Sequence, residues 1–203
     1  VEMAVGADSV GPLRAVAGVR LGTVSAGIKT PGRMDLVLLE VSHNTRCAAV
    51  FTRNAFCAAP VTVARENLRS CAHQPRYLLI NTGNANAGTG TSGIAAARAC
   101  VGAVASMAGV DAHSVLPFST GVIGEPLPVQ RLQQAIPAAF AALSADGWAA
   151  AAAGILTTDT RPKALSVSFS CDGGDYVVTG IAKGSGMIRP NMATMLAFIA
   201  TDM

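Results

Sequence analysis

The chain has 203 residues, 51% of them hydrophobic and 13% charged, enough apolar material for a well-buried globular body of one or two domains and a poor match to a disordered chain. A formal net charge of +3 is small, and Lys and Arg are scattered rather than clustered, which argues against a nucleic-acid stripe or a membrane-surface patch and leaves a small molecule as the expected partner. The five cysteines form no CxxC pair and sit among apolar neighbours, as buried free thiols do, so neither a zinc site nor a disulfide framework is expected.

In chain order, the first element read is Met34–Glu40, a short buried strand, followed by the polar turn Ser42-His43-Asn44 and a second strand over Cys47–Thr52, together a hairpin or meander. Val61–Ser70 has helical spacing, and Pro75 marks the way into a strand at Tyr77–Ile80. A long alanine-rich helix runs from Thr91-Ser92 to about Ala108, with Ser92 as N-cap and Gly109 as its stop. A strand at Ser114–Phe118 precedes the turn STGVIGEPLP. Two helices follow, Val129 to about Ser144 with an apolar stripe of Leu132, Ile136, Phe140 and Leu143, and Trp148–Leu156. Leu165–Cys171 and Tyr176–Ala182 alternate as paired strands around Asp172-Gly173-Gly174-Asp175, a hairpin-turn sequence. Thr194–Thr201 is a last buried strand. Hairpins beside crossovers indicate an α/β fold, a layered sandwich with mixed sheets. No opening basic and apolar leader and no uninterrupted apolar run of about 18 residues is seen, so a cytoplasmic protein is expected.

Three segments concentrate glycine with small hydroxyl or amide residues: Asn81–Gly93, Ser119–Gly124 and Lys183–Thr194. Such loops either are simply tight turns or build a polar pocket without a metal. Neither a GxGxxG nor a GxxxxGK[ST] pattern occurs, which leaves a nucleotide site without support. Asn81, Asn84 and Asn86 read as turn stabilisers rather than ligands. His43, His73 and His113 stand in no nucleophile motif, so a Ser-His-Asp triad has no anchor. A nucleophile would need another activation, and one solution is a threonine whose own α-amine, freed by peptide cleavage, takes the hydroxyl proton. Thr194 suits that role: it follows the small residue Ala193, and Gly184, Gly186 and Pro190 bend the approach to it.

The segment KGSGMIRPNMATML (Lys183–Leu196) closely resembles the cleavage-site signature of the ornithine acetyltransferases, also called glutamate N-acetyltransferases. SAGIK (Ser25–Lys29), AVFTRN (Ala49–Asn54), AAPV (Ala58–Val61), NTGNANAGTG, STGVIGEPLP and ILTTDT resemble further stretches of that family in the same order. One departure is Gly88, where many relatives resemble NANACTG. The resemblance implies acetyl transfer from N-acetylornithine to glutamate by a ping-pong route, with acetyl-coenzyme A a donor for some members, and no cofactor or metal. It implies cleavage between Ala193 and Thr194, Thr194 as nucleophile, Thr120 and Gly121 as the oxyanion hole, and Thr157 and Lys183 as substrate-binding positions together with Thr194. It also divides the chain into an alpha-chain region, 1–193, and the start of a beta-chain region, 194–203. Precursors of the family continue well beyond Met203, so the sequence reads as partial, with its own beta chain as partner in an assembly of two alpha and two beta chains.

Without the resemblance, Lys183 reads as a solvated loop lysine, Thr157 as a helix-end hydroxyl and STG as an ordinary turn. Two other functions stay open at this stage. One is a self-processing aminopeptidase or amidase, and the other is a non-catalytic amino-acid-binding domain.

Overall fold

The computed structural model describes residues 10–185 and 195–203. A four-stranded sheet has the order β1 (Val19–Val24), β2 (Leu36–Val41), β3 (Tyr77–Asn84), β4 (Val115–Val122), with β1/β2 and β2/β3 antiparallel and β3/β4 parallel. A three-stranded antiparallel sheet has the order β5 (Lys163–Cys171), β6 (Gly174–Lys183), β7 (Leu196–Thr201). The fold is thus α/β with mixed sheets, as the interleaved pattern implies.

The first sheet is buried on both faces, which is why β2 reads as an almost unbroken apolar run. Leu36 and Leu38 face a core shared with α1 (Ala59–Ser70), α2 (Gly90–Ala108) and α3 (Val129–Ala141), through Val63, Val101, Val104, Leu132 and Ile136. Val37 and Leu39 face the opposite core, where Trp148 and Ile155 from α4 (Trp148–Gly154) and its C-terminal end meet Ile181 and Phe198 of the second sheet. Leu36, Leu38 and Ile155 have no exposed surface, and burying such a side chain contributes about 1.5–3 kcal/mol. Between the layers the Phe118 and Phe198 rings meet edge to face at 5.0 Å.

The parallel pair β3/β4 requires a crossover, which α2 supplies. Its stop is Gly109, in the left-handed region at φ 65°. By length and composition alone α2 qualifies as a membrane span, with 19 residues and mean hydropathy 1.2. Its buried stripe of Ala97, Cys100, Val101 and Val104 nevertheless packs into the core. The β5–β6 hairpin closes through Asp172 (φ 50°) and Gly173 (φ 80°) with Cys171 opposite Gly174, the two left-handed residues of a type I′ turn.

Several sequence expectations are corrected. Cys47–Thr52 is not a strand: β2 is already flanked by β1 and β3, and the segment runs as exposed coil with Val50 83% exposed. Arg65 fastens that coil, its guanidinium 5.2 Å from the Phe51 ring centroid and bonded to the Thr52 carbonyl at 3.2 Å. The sequence gives no sign of β1, and β2 pairs with it on one side and with β3 on the other, not with Cys47–Thr52. Ser92 is not the N-cap of α2; Thr89 occupies that position, and the Ser92 hydroxyl donates to the Thr89 carbonyl at 2.6 Å. β3 and β4 run on into NTGN and STGV, which the sequence assigned to loops. All five thiols are free, but only Cys100 is fully buried.

Candidate functional site

The site lies where the parallel strands β3 and β4 end together. In register, Thr82 pairs with Thr120 and Gly83 with Gly121. At Gly121 φ is 133°, and an added Cβ would stand 2.4 Å from the Gly83 carbonyl carbon, so no side chain fits between the two backbones. Thr120, 2% exposed, points to the second sheet, where the Lys183 ammonium donates to its hydroxyl at 3.1 Å. Lys183 is 4% exposed and sits at the end of β6, paired in register with Leu196 of β7. Both strands present alternate residues to the core, and that alternation turns Lys183 inward beside Ile181.

The asparagines of NTGNANAGTG build the scaffold under this junction, as the sequence suggests. Asn81 donates to the Asn84 carbonyl at 2.9 Å and accepts the Ser119 hydroxyl at 2.6 Å. Asn84 donates to the carbonyls of Glu125 and Pro126, both at 3.1 Å, and its own oxygen accepts the Asn86 N–H at 2.7 Å. Asn86 donates to the Gly93 carbonyl at 2.9 Å and accepts from the Thr89 hydroxyl at 3.0 Å. These bonds tie the end of β3 to the exit of β4 and the start of α2, with the polar groups satisfied locally.

Thr157 is half-buried in the loop after α4. Among the described residues its neighbours, not Thr157 itself, make the side-chain contacts to the end of β6: the Thr158 and Ser185 hydroxyls lie 3.4 Å apart, and Asp159 accepts the Gly184 N–H at 2.8 Å. Asp159 carries no role in the sequence reading, where TTDT supplies only Thr157. Its side chain is wholly buried and the same oxygen takes Lys163 at 2.5 Å. Burial by itself would raise the Asp159 pKa, but the hydrogen bonds from Lys163 and Gly184 and the charges of Lys163 and Lys183 hold it below the usual carboxylate value. For Lys183, burial pushes the ammonium below its ordinary value, the attraction of Asp159 opposes that shift, and Lys163 adds to it.

Beside Thr120 opens a cavity of about 330 Å³. Its walls are mainly apolar and include Phe51, Phe56, Phe118, Ile123 and Phe198, with Met195 and Leu196 at one side. The coil that replaces the expected strand at Cys47–Thr52 thus supplies one wall through Val50, Phe51 and Thr52, a role the sequence did not suggest. Met195 also meets Gly184: a Cβ built there would lie 3.4 Å from the Met195 Cγ. Thr120, Gly121 and Lys183 are therefore brought together, and Thr157 lies on the loop that fastens the end of β6. Ala193 and Thr194 lie outside the described residues.

Two of the cysteines, Cys47 and Cys100, offer little competing nucleophilic chemistry. Burial pushes the Cys100 thiol up to about 12, and burial with the nearby Cys71 raises Cys47 as well, so the thiolate form is scarce at neutral pH. Among the described residues no group of three or more His, Cys, Asp or Glu side chains is placed to hold a metal ion.

A family model described as the ArgJ family matches residues 20–203. The arginine biosynthesis bifunctional protein ArgJ of Methylococcus capsulatus is 62% identical over 187 residues, 92% of this chain and 45% of that protein. The protein of the same name from Pseudomonas syringae pv. tomato is 57% identical over 200 residues, 98% of this chain and 49% of that protein. The chain spans about half the length of the curated relatives it matches. Among solved structures, arginine biosynthesis bifunctional protein argJ of Bacillus halodurans aligns with a TM-score of 0.79 at 33% identity, over 89% of this chain and 92% of that one. Ornithine acetyltransferase from Mycobacterium tuberculosis, complexed with ornithine, aligns with a TM-score of 0.73 at 31% identity, over 92% of this chain and 96% of that one.

Proposed function

Because the chain belongs to the ArgJ family, we propose that it is the front part of a cytoplasmic acetyltransferase of arginine synthesis that moves the acetyl group of N-acetylornithine to glutamate through Thr194. The observation that carries this reading is the Lys183 ammonium 3.1 Å from the Thr120 hydroxyl, beside Gly121 and at the edge of a cavity. A fixed cation, a hydroxyl and a side-chain-free backbone at one strand end suit an amino-acid carboxylate and a developing oxyanion.

The first reaction is self-cleavage. The Thr194 hydroxyl attacks the Ala193 carbonyl, the C–N bond breaks as the hydroxyl proton passes to the departing nitrogen, and an ester forms. Water then hydrolyses that ester, leaving a carboxylate on Ala193 and both a free amine and a free hydroxyl on Thr194. This divides the protein into an alpha chain, 1–193, and a beta chain that begins at Thr194, assembled as two of each.

In the transfer reaction the Thr194 amine accepts the hydroxyl proton as the oxygen attacks the acetyl carbonyl of N-acetylornithine. The amide C–N bond breaks, the proton goes to the leaving amine of ornithine, and the acetyl group remains as a threonine ester. The glutamate amine attacks the ester carbonyl next, loses a proton, and restores the Thr194 hydroxyl. Thr120 and Gly121 stabilise the negative oxygen of each tetrahedral intermediate, while Lys183 and Thr157 hold the amino-acid substrates. Acetyl-coenzyme A as a second donor fits the "bifunctional" name of the relatives, and no resident cofactor takes part in either reaction. A biosynthetic name also favours transfer over the amidase reading.

The test is ornithine release from N-acetylornithine by the full-length protein with and without glutamate. Glutamate-dependent release that vanishes in Thr194→Ala is expected. Equal release of free acetate without glutamate overturns the transferase reading in favour of a hydrolase.

A further inference from the structure

We propose that Lys183 is the positioning residue for Thr120: by donating to the Thr120 oxygen it turns that hydroxyl's own hydrogen toward the cavity, where the acyl oxygen of the substrate gathers negative charge. The inference rests on the reading of Thr120 as an oxyanion donor. It gives Lys183 a part in the transition state besides its hold on the substrate's carboxylate.

The first support is an inventory of hydrogens. A lysine ammonium has three N–H donors and no lone pair, so in the 3.1 Å contact Lys183 donates and the Thr120 hydroxyl accepts. The Thr120 O–H is then left to donate elsewhere, and among the described residues no acceptor takes it. Thr120 is 2% exposed and lines the cavity, so its hydrogen faces that space rather than bulk water. Buried donors in native folds are rarely left without a partner, because an unmade bond there costs free energy. Among the described residues, the two other buried threonines do engage theirs: the Thr82 hydroxyl donates to the Gly154 carbonyl at 3.3 Å, and the Thr179 hydroxyl to the Arg14 carbonyl at 2.8 Å. Neither of those two lines the cavity, and neither is bonded to a cation.

The contact also strengthens the donor. An O–H whose oxygen already accepts from a cation is polarised by that bond, and the burial of both side chains keeps water from competing. Lys183 reaches Thr120 from β6 of the second sheet, so one sheet sets the direction of a hydrogen carried by the other. The two roles of Lys183 separate in kinetics. A bond to the substrate's carboxylate exists in the bound substrate and in the transition state alike, and its loss raises KM. A hydrogen aimed at a developing negative oxygen acts in the transition state, and its loss lowers kcat. If Lys183 works through the Thr120 hydroxyl, its effect on kcat requires that hydroxyl to be present.

The experiment is a kinetic double-mutant cycle on the full-length protein: parent, Lys183→Met, Thr120→Val and the double variant, with kcat and KM for glutamate-dependent ornithine release from N-acetylornithine. Methionine is close to the lysine stem in shape and suits a buried position, and urea midpoints check that each variant is folded. Lys183→Met should lower kcat about 10- to 100-fold beside Thr120, the range of a hydrogen bond to a charged group, and less than about threefold in the Thr120→Val background. Thr120→Ser, which restores a hydroxyl, should bring the larger effect back. Losses in kcat that multiply, or a loss confined to KM and equal in both backgrounds, overturn the proposal. If Lys183→Met does not fold, Lys183→Arg decides: its guanidinium also only donates, so kcat should stay within about threefold of the parent, and a loss as deep as that of Thr120→Val overturns the proposal. If a variant is not cleaved before Thr194, the same cycle is read on the cleavage rate by intact mass, since that reaction also passes through a negative oxygen, and multiplying losses there overturn it too. Ornithine release that needs no glutamate would remove the transferase reading, while the same cycle run on that release still decides the role of Lys183.

Discussion

Replacing Thr120 by valine keeps the shape of the side chain and deletes its oxygen. Lys183, 4% exposed, then loses the hydroxyl acceptor it holds at 3.1 Å, and hydrogen bonds to charged groups contribute about 1.5–3 kcal/mol. Unfolding by urea should show a loss of that order in the full-length protein. In catalysis, removal of one oxyanion donor typically lowers kcat by about 10²–10³, and the same fall is expected for acetyl transfer. Thr120→Ser should recover most of both. A double-mutant cycle with Lys183→Met isolates the contact: the pair should couple by about 1 kcal/mol or more, because the second change removes an interaction already gone. Stability losses that add to within about 0.3–0.5 kcal/mol would show that the two side chains do not interact, and would refute the reasoning.

Gly121→Ala should lower stability by more than about 2 kcal/mol, read as a fall in the urea midpoint, because the new Cβ would lie 2.4 Å from the Gly83 carbonyl carbon. Leu38→Ala, at a position with no exposed surface, should cost about 2–5 kcal/mol by the same assay. Cys100, with its thiol raised to about 12, should resist alkylation in the native protein at pH 8 while unfolded protein is labelled there; mass mapping of rapid native labelling at Cys100 would contradict its burial. Asp159 has a native pKa below its unfolded value. Its contribution to stability is therefore complete above the unfolded value of about 3.9 and is lost as pH falls through the native one. Asp159→Asn should accordingly flatten the acid limb of the stability profile.

Most of the regular elements were legible because each carries a local signal. The Asp172-Gly173 turn states its own backbone geometry, Gly109 marks the end of α2, and the period of α3 exposes Leu132 and Ile136. The errors share a cause that lies beyond local sequence. CAAVFT is apolar enough for a strand, yet β2 has no free edge for it, and only the finished sheet reveals that. β1 has a glycine, Gly22, in its middle, where the backbone of Ala139 comes so close that a Cβ would stand 2.1 Å from its carbonyl oxygen; only that packing contact shows why a strand there carries a glycine. In the site, Thr120, Gly121 and Lys183 came from an ordered resemblance of motifs, and their meeting across 63 positions of sequence required both sheets. Asp159 escaped because its role depends on burial and on a bond to the Gly184 backbone, neither of which a letter shows.

The most direct measurement is an intact mass spectrum of the full-length protein before and after incubation with N-acetylornithine. The account predicts two chains that divide between Ala193 and Thr194, with the second gaining one acetyl mass that glutamate then removes. A single chain that never gains an acetyl group would contradict Thr194 as the nucleophile and leave an amino-acid-binding domain as the better description.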